Sequence, residues 1–128
     1  MPTRILVLED DSIRVEQFRY FFRTGDFEIT FTDKVSETIR ELEHMRWDML
    51  FLDHDLGNQC YCPSDENSGY AVALWLAEHE GARPDHIYLH SMNYVGRQNM
   101  KRALPMAIEM PFSYIADEVS NMMRKERH

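Results

Sequence analysis

Residues 48–57 read Asp-Met-Leu-Phe-Leu-Asp-His-Asp-Leu-Gly, and the central strand of the predicted sheet lies in this segment. The four apolar residues Met49–Leu52 form an uninterrupted run, which predicts a short strand buried on both faces. The run ends in Asp53, His54 and Asp55. Because open α/β sheets hold their ligands at the carboxyl edge of the strands, two carboxylates and an imidazole at that edge indicate a functional site.

A second acidic cluster follows another apolar run near the N-terminus. Ile5–Leu8 has the composition of a buried strand, and Glu9, Asp10 and Asp11 come directly after it. Acidic residues often do no more than cap a strand or begin a loop. Two buried strands that both end in carboxylates are more typical of a cation site. We therefore expect Glu9 and Asp10 to converge with Asp53 around a divalent metal ion.

Strand and helix patterns alternate five times along the chain. The spacing of apolar residues predicts strands at 5–8, 27–32, 49–53, 87–89 and 106–110. It predicts helices from Ser12 to about Gly25, from Asp33, over 69–80, over 95–104 and from Ser113. This alternation is typical of a parallel sheet with helices on both faces. The predicted fold is a doubly wound, five-stranded α/β sheet in the flavodoxin-like order 2-1-3-4-5.

Length and composition narrow the classes of protein. The 128 residues, of which 44% are apolar and 28% charged, suffice for one domain, 1–128, with its own core. The net charge of −8 argues against general DNA or RNA binding. No signal or membrane segment is predicted, so we expect a cytoplasmic protein. Cys60 and Cys62 are too few for a disulfide framework, and a zinc site there is the less favoured interpretation.

The arrangement resembles the receiver domain of bacterial response regulators over nearly the full chain. In that family an acidic pair after strand one holds Mg²⁺, an aspartate after strand three accepts a phosphoryl group, and a serine or threonine ends strand four. The residues that match are Glu9, Asp10, Asp53 and Ser91. Receivers also have a lysine before a proline at the end of strand five, where this chain has Met110 before Pro111.

The resemblance is closer to a divergent group, the cyclic-phosphate processing receiver domains. It rests on Leu-Asp-His-Asp-Leu-Gly at 52–57, Gly-Tyr at 69–70, Trp-Leu at 75–76, His-Ser-Met-Asn at 90–93 and Val-Gly-Arg at 95–97. It implies an enzyme that depends on Mg²⁺ (or Mn²⁺) and acts on cyclic phosphates, such as cyclic nucleotides or 2′,3′-cyclic ends of RNA. The implied partner is a phosphorylated small molecule or an RNA end.

Two chemical routes are open at such a site. Asp53 could be a nucleophile that forms an aspartyl-phosphate, or it could bind metal while His54 or His90 moves protons for an attacking water. Histidine suits the second route because its unperturbed pKa lies near working pH, and His90 is the favoured group. Catalytic roles are thus expected for Asp53, His54 and His90, and metal binding for Glu9, Asp10, Asp53 and Asp55.

Residues after the fourth strand are candidates for binding phosphate. Ser91 offers a hydroxyl, and Asn93 begins a helix whose first amides could donate to an anion. Arg97 lies about one turn into that helix and could reach a phosphate oxygen. Arg14, near the start of the first helix, is a weaker candidate.

Two other classes of function stay open from sequence. The first is a degenerate receiver that accepts a phosphoryl group or binds a protein partner through its fourth helix, fifth strand and fifth helix. The second is a Toprim-like, Mg²⁺-dependent nuclease, a fold that places a glutamate after strand one and Asp-x-Asp after strand three. The Asp-x-Asp of this chain is Asp53 and Asp55.

Overall fold

The computed structural model describes residues 2–56 and 64–126, which form one parallel sheet with helices on both faces. The strands are β1 (Thr3–Leu8), β2 (Phe27–Thr32), β3 (Met49–Leu52), β4 (His86–Leu89) and β5 (Ile108–Glu109), in the order β2-β1-β3-β4-β5. The helices are α1 (Ser12–Phe21), α2 (Val35–His44), α3 (Gly69–Glu78), α4 (Tyr94–Ala103) and α5 (Ile115–Glu126). Short 3₁₀ helices occur at Glu80–Ala82 and Phe112–Tyr114. The predicted fold and strand order are confirmed.

The central strands are apolar on both sides because each face of the sheet is covered by helices. One face packs against α1 and α5, through Ile5, Val7, Phe51, Tyr88, Phe18, Phe22, Ile115 and Val119. The other packs against α2, α3 and α4, through Leu6, Leu8, Leu50, Leu52, Leu89, Leu42, Val72, Leu76 and Met100. Alternate side chains of a strand therefore pack in the cores on opposite faces of the sheet. The same alternation places successive residues after each strand on opposite faces.

Several boundaries differ from those predicted. The N-cap of α1 is Asp11 rather than Ser12, because the Asp11 carboxylate accepts hydrogen bonds from the first free amides, Ile13 N and Arg14 N. Helix α2 follows Lys34 and has no side-chain cap, so Asp33 lies before the helix rather than at its cap. Ser113 lies within a 3₁₀ turn, and α5 begins at Ile115.

Strand β5 is also shorter than predicted. Only Ile108 and Glu109 pair with β4, whereas the sequence predicted a strand over 106–110. As an edge strand β5 pairs on one side, and Pro111 follows immediately without an amide proton to donate. The amide of Met110 still donates to Leu89 O at 2.8 Å, which fixes the position of this residue beside the end of β4.

Two further expectations from sequence concern membrane-spanning segments and the two cysteines. None of the helices that the structure describes is long and apolar enough to span a membrane. Cys60, Cys62 and Gly57 lie outside the described residues. The zinc interpretation of the two cysteines therefore stays a hypothesis from sequence.

Candidate active site at the carboxyl edge of the sheet

The strand register places three polar residues side by side. Val7 pairs with Phe51, and Phe51 pairs with Tyr88, so the residues two positions further on, Glu9, Asp53 and His90, also follow one another across the sheet. The ladder continues into them, since Asp53 N donates to Leu8 O and His90 N to Leu52 O, both at 3.1 Å. We call Glu9, Asp53 and His90 the acid–imidazole row.

The three side chains of this row are close together and almost fully buried. Their exposed fractions are 1%, 2% and 1%, respectively. One ligand atom from each lies within 4.8 Å of the others. Buried carboxylates are rare without compensating partners, so the contacts of each residue determine what the row can do.

Glu9 is the most completely bonded member of the row. Its Oε1 faces Arg14 Nε at 2.8 Å and His90 Nε2 at 3.1 Å, and its Oε2 accepts from the amides of Asp10 and Asp11 at 3.0 and 3.1 Å. Burial alone would raise the pKa of Glu9, but the hydrogen bonds of His90 and Arg14 outweigh it and lower this pKa to about 2. Glu9 is therefore ionised and holds the neighbouring side chains in place.

Asp53 presents an open oxygen. Its Oδ1 accepts from the amide of His54 at 2.9 Å, whereas Oδ2 has no hydrogen-bond partner among the described residues. The nearest cation is Arg14, whose Nη2 lies 3.6 Å from Oδ2. Burial raises the pKa of Asp53 to about 8, and the charge of Glu9 acts in the same direction. At neutral pH Asp53 thus keeps a proton, which can be donated to Glu9, and its ionised form is poorly compensated without an added cation.

His90 is a neutral imidazole with one free nitrogen. Burial lowers the pKa of His90, although the hydrogen bond and charge of Glu9 oppose this. Since Glu9 is ionised, the consistent tautomer carries its proton on Nε2 and donates it to Glu9 Oε1. The other nitrogen, Nδ1, has no hydrogen-bond partner among the residues that the structure describes. The ring is fixed by edge contact with Phe18 at a centroid distance of 5.2 Å.

His54 lies in a separate network on the other side of the strand end. Its Nδ1 is 2.8 Å from Asp55 Oδ1, and its Nε2 is 2.7 Å from Ser64 Oγ. Asn93 Nδ2 donates to the same Asp55 oxygen at 3.0 Å, and Asn99 Nδ2 donates to Ser64 Oγ at 2.9 Å. His54, Asp55, Ser64, Asn93 and Asn99 form what we call the His54 network. It ties the end of β3 to α4, and the structure gives both His54 nitrogens protein partners.

Two glycines allow the helices to approach the strand end closely. A Cβ added to Gly96 would lie 2.4–2.6 Å from the ring of His54, so this position admits the imidazole only without a side chain. A Cβ added to Gly69 would lie 1.7 Å from the carbonyl oxygen of Asp53. The amide of Gly69 donates to His54 O at 2.9 Å, which docks the start of α3 directly on the site.

The predicted phosphate-binding residues have structural partners of their own. Ser91 Oγ accepts from the amide of Asn93 at 3.1 Å, and Asn93 Oδ1 caps α4 by accepting from Gly96 N at 3.0 Å. Arg97 donates to Glu109 Oε1 at 3.0 Å and to Ser91 O at 2.7 Å. Their expected role with phosphate therefore stays a prediction, and their observed role is to shape the turn after β4.

The structure brings some of the predicted metal ligands together but not all of them. Glu9 and Asp53 are in the acid–imidazole row, with His90 as the third member. Asp10 is half-buried and lies outside this group, and Asp55 Oδ1 faces His54 and Asn93. Asp53 and Asp55 therefore do not form the paired carboxylates of a Toprim-like site. From sequence, Arg14 ranked low, Ser64 was missed, and Gly69 and Gly96 were noted only as parts of motifs, without their packing role.

The donor set fits a divalent cation. Two carboxylates and an imidazole suit Mn²⁺, and carboxylates suit Mg²⁺. Ligands at about 2.1 Å from one ion can be separated by up to about 4.2 Å, so the 4.8 Å cluster needs only a small closure. The unpartnered Oδ2 of Asp53 is the open position in this set. Glu9 and Asp53 are the residues that would hold the ion, because the Nε2 proton of His90 is donated to Glu9 and its Nδ1 is the nitrogen left for proton transfer.

We expect Mn²⁺ or Mg²⁺ to raise the thermal midpoint of unfolding, and Asp53→Asn to abolish this response. A cation must displace the proton that Asp53, with a pKa of about 8, keeps at neutral pH. Metal affinity should therefore rise about tenfold per pH unit up to about pH 8 and level off above it. Thermal scans from pH 6 to 9, with and without metal, measure both effects.

The same titration sets the sign of the effect on the metal-free protein. The folded chain holds a proton that unfolded Asp53, with its ordinary pKa of 3.8, releases, so stability should fall as pH rises from about 4 to about 8. Asp53→Asn removes this decline. Asp26→Asn is the matched control, because Asp26 is exposed at the opposite edge of the sheet. A metal response that survives in Asp53→Asn would contradict the assignment.

Comparison with known proteins defines the class. The receiver domain of the sensor kinase PA1611 from Pseudomonas aeruginosa, solved with magnesium in its active-site cleft, is 18% identical and has a TM-score of 0.75, with 98% of this chain and 97% of that one covered. The phosphorylated cyanobacterial phytochrome response regulator RcpA is 12% identical with a TM-score of 0.75, and the match covers 95% of this chain and 91% of that one. The response regulator TrrA from Thermotoga maritima is 21% identical with a TM-score of 0.68, and the match covers 96% of this chain and 97% of that one.

The fold is that of a receiver-like domain. The model of one family, the Cyclic-phosphate processing Receiver domain, matches residues 5–105, and the chain belongs to this family. No curated protein matches it. The likeness to solved receivers, at this level of identity, shows the fold alone.

Proposed function

We propose that this protein is a metal-dependent enzyme that hydrolyses cyclic phosphates, such as the 2′,3′-cyclic ends of RNA or cyclic nucleotides. One observation carries the proposal. In the acid–imidazole row two polar atoms, Asp53 Oδ2 and His90 Nδ1, are buried without a hydrogen-bond partner among the described residues. Unpartnered buried polar atoms are costly, and they concentrate at functional sites. A carboxylate oxygen and a basic nitrogen are the groups that metal-assisted hydrolysis uses.

The acid–imidazole row and a bound metal ion would have separate roles in hydrolysis. A bound Mn²⁺ or Mg²⁺ would supply charge neutralisation and Lewis acidity at a phosphate oxygen. Water attacks phosphorus, one P–O bond of the ring breaks, and the water's proton passes to His90 and then to the leaving oxygen. Because His90 is 1% exposed, that proton would travel through an intervening water molecule. The products are a phosphomonoester and a free hydroxyl group.

A second candidate function is a signalling module in which Asp53 accepts a phosphoryl group. Among the described residues, most of the large apolar side chains that are exposed lie on or just before α4, on or near β5, or before α5, namely Met92, Tyr94, Val95, Met106, Ile108 and Tyr114. Exposed apolar side chains on adjoining elements favour a protein partner. Met110 stands beside His90 at the end of β5 and brings no charge to a phosphorylated Asp53. We therefore rank this candidate second.

A substrate panel tests the proposal. The purified protein with Mn²⁺ or Mg²⁺ is incubated with a 2′,3′-cyclic nucleotide, a 3′,5′-cyclic nucleotide, RNA with a 2′,3′-cyclic end, and acetyl phosphate. We expect metal-dependent conversion of at least one cyclic phosphate to a monoester, abolished in Asp53→Asn and retained in Asp26→Asn. A stable phosphoryl group on Asp53 from acetyl phosphate, with no cyclic substrate consumed, would instead support the signalling function.

A further inference from the structure

We propose that Arg14 binds the phosphate group of the substrate and holds it against Asp53 Oδ2. This inference rests on the proposed function for the identity of the substrate. It assigns a phosphate-binding role to a residue of α1, on the opposite side of the sheet from the turn after β4.

The guanidinium of Arg14 is held in a fixed plane by a buried acid. Its Nε donates to Glu9 Oε1 at 2.8 Å and its Nη2 to Glu9 Oε2 at 3.3 Å. Two parallel bonds of this kind fix the orientation of the group as well as its position. The residue itself is in the first turn of α1, which Asp11 caps by accepting from Arg14 N. Arg14 is therefore preorganised before any ligand arrives.

The bonds to Glu9 leave part of the donor set free. A guanidinium has five N–H groups, and Glu9 occupies two of them. Nη2 lies 3.6 Å from Asp53 Oδ2, and Nη1 has no hydrogen bond to any described residue. The side chain is 29% exposed, whereas Asp53 is almost fully buried behind it. The free edge of the fork thus lies between solvent and the open oxygen of Asp53.

The arginine near the turn after β4 is already engaged. Arg97 is bonded to Glu109 and to the carbonyl of Ser91. Among the residues that the structure describes, Arg14 is the cation within 4 Å of Asp53. A phosphate that reaches the acid–imidazole row would therefore meet Arg14.

The competing explanation is that Arg14 only neutralises Glu9. Both explanations predict that the loss of Arg14 destabilises the fold, because Glu9 would be left buried and unpaired. They differ in whether the loss of Arg14 weakens phosphate binding and in whether a lysine at this position can restore that binding. A counter-ion can be replaced in part by any cation, whereas a planar fork that binds a phosphate in two-point fashion cannot be replaced by an ammonium.

The test measures binding of inorganic phosphate to the Mg²⁺-loaded full chain by ³¹P NMR and calorimetry. We expect Arg14→Gln and Arg14→Lys both to weaken phosphate binding by about 10- to 100-fold. Arg19→Ala should change nothing, because Arg19 is an exposed arginine one to two turns along the same helix. If Arg14→Gln does not fold, Arg14→Lys, which keeps a cation beside Glu9, carries the test and should show the same loss.

The outcomes separate this inference from the proposed function. Phosphate affinity that is equal in wild type, Arg14→Gln and Arg14→Lys would overturn it, as would a wild type that binds no phosphate. If phosphate binding depends on Arg14 but no cyclic phosphate is hydrolysed, the proposed function fails and the role of Arg14 stands. If hydrolysis occurs, Arg14→Lys should raise KM for the cyclic substrate at a nearly unchanged fraction of folded protein.

Discussion

Replacing His90 by alanine or glutamine is expected to lower the turnover of a cyclic phosphate by about 10²- to 10⁴-fold, the usual cost of losing a general acid–base group. The reason is the free Nδ1 of a neutral imidazole, placed in one row with Asp53. Glutamine is the more informative change, because its amide can still donate to Glu9 as Nε2 does, but it cannot accept a proton at catalytic pH. Steady-state rates with saturating metal measure the effect.

The controls for His90 separate chemistry from folding and from metal binding. His86→Ala is the matched variant, since His86 is exposed at the start of the same strand, and we expect its rate to equal that of the wild type. The thermal midpoint of His90→Gln should stay close to the wild-type value, because the donor to Glu9 is kept. A His90→Gln enzyme with wild-type turnover would show that the imidazole transfers no proton.

Gly69→Ala is expected to reduce the free energy of unfolding by about 3 kcal/mol, a large effect for one methyl group. The added Cβ would lie 1.7 Å from Asp53 O, which is a backbone atom and cannot rotate away. Either α3 must move outward or the end of β3 must shift. Both changes break the bond from Gly69 N to His54 O and displace Asp53. Urea unfolding measures the loss of stability.

The same substitution at Gly81 provides the comparison. Gly81 has no atom within 4 Å of the place where a Cβ would stand, so Gly81→Ala should change stability by about 0.5 kcal/mol or less. Gly69→Ala should in addition weaken the metal response, because Asp53 belongs to the metal-binding row. Equal unfolding midpoints for the two alanine variants would contradict the close packing of α3 on the strand end.

The fold was predictable because its central strands are apolar on both faces. Met49–Leu52 and Ile5–Leu8 could be recognised as buried strands from composition alone, and alternation with helices then fixed their parallel order. Boundaries were less predictable. Asp11 and Ser12 are adjacent residues of types that both cap helices, so the sequence could not decide between them. The length of β5 depends on what it pairs with, which is a tertiary property.

The residues of the site that directly follow strands could be predicted from sequence. Those that reach the site from a helix or a loop could not. Glu9 and Asp53 meet because parallel strands end at one edge. His54 follows Asp53 directly, so strand alternation already separates the two side chains. The role of Arg14 could not be read from sequence, because it requires the first turn of α1 to fold over Glu9. Ser64 comes from a long connection whose sequence has no periodicity to position it.

The acid–imidazole row draws its members from three strands, and His90 and Glu9 are 81 positions apart in the chain. A ligand that bridges them can be held only while β1, β3 and β4 are paired, so its binding energy opposes the opening of the whole sheet rather than the fraying of one end. In amide hydrogen exchange, such a ligand would slow the most protected protons of the central strands. Binding of a ligand at this site would therefore lengthen the lifetime of the entire folded state.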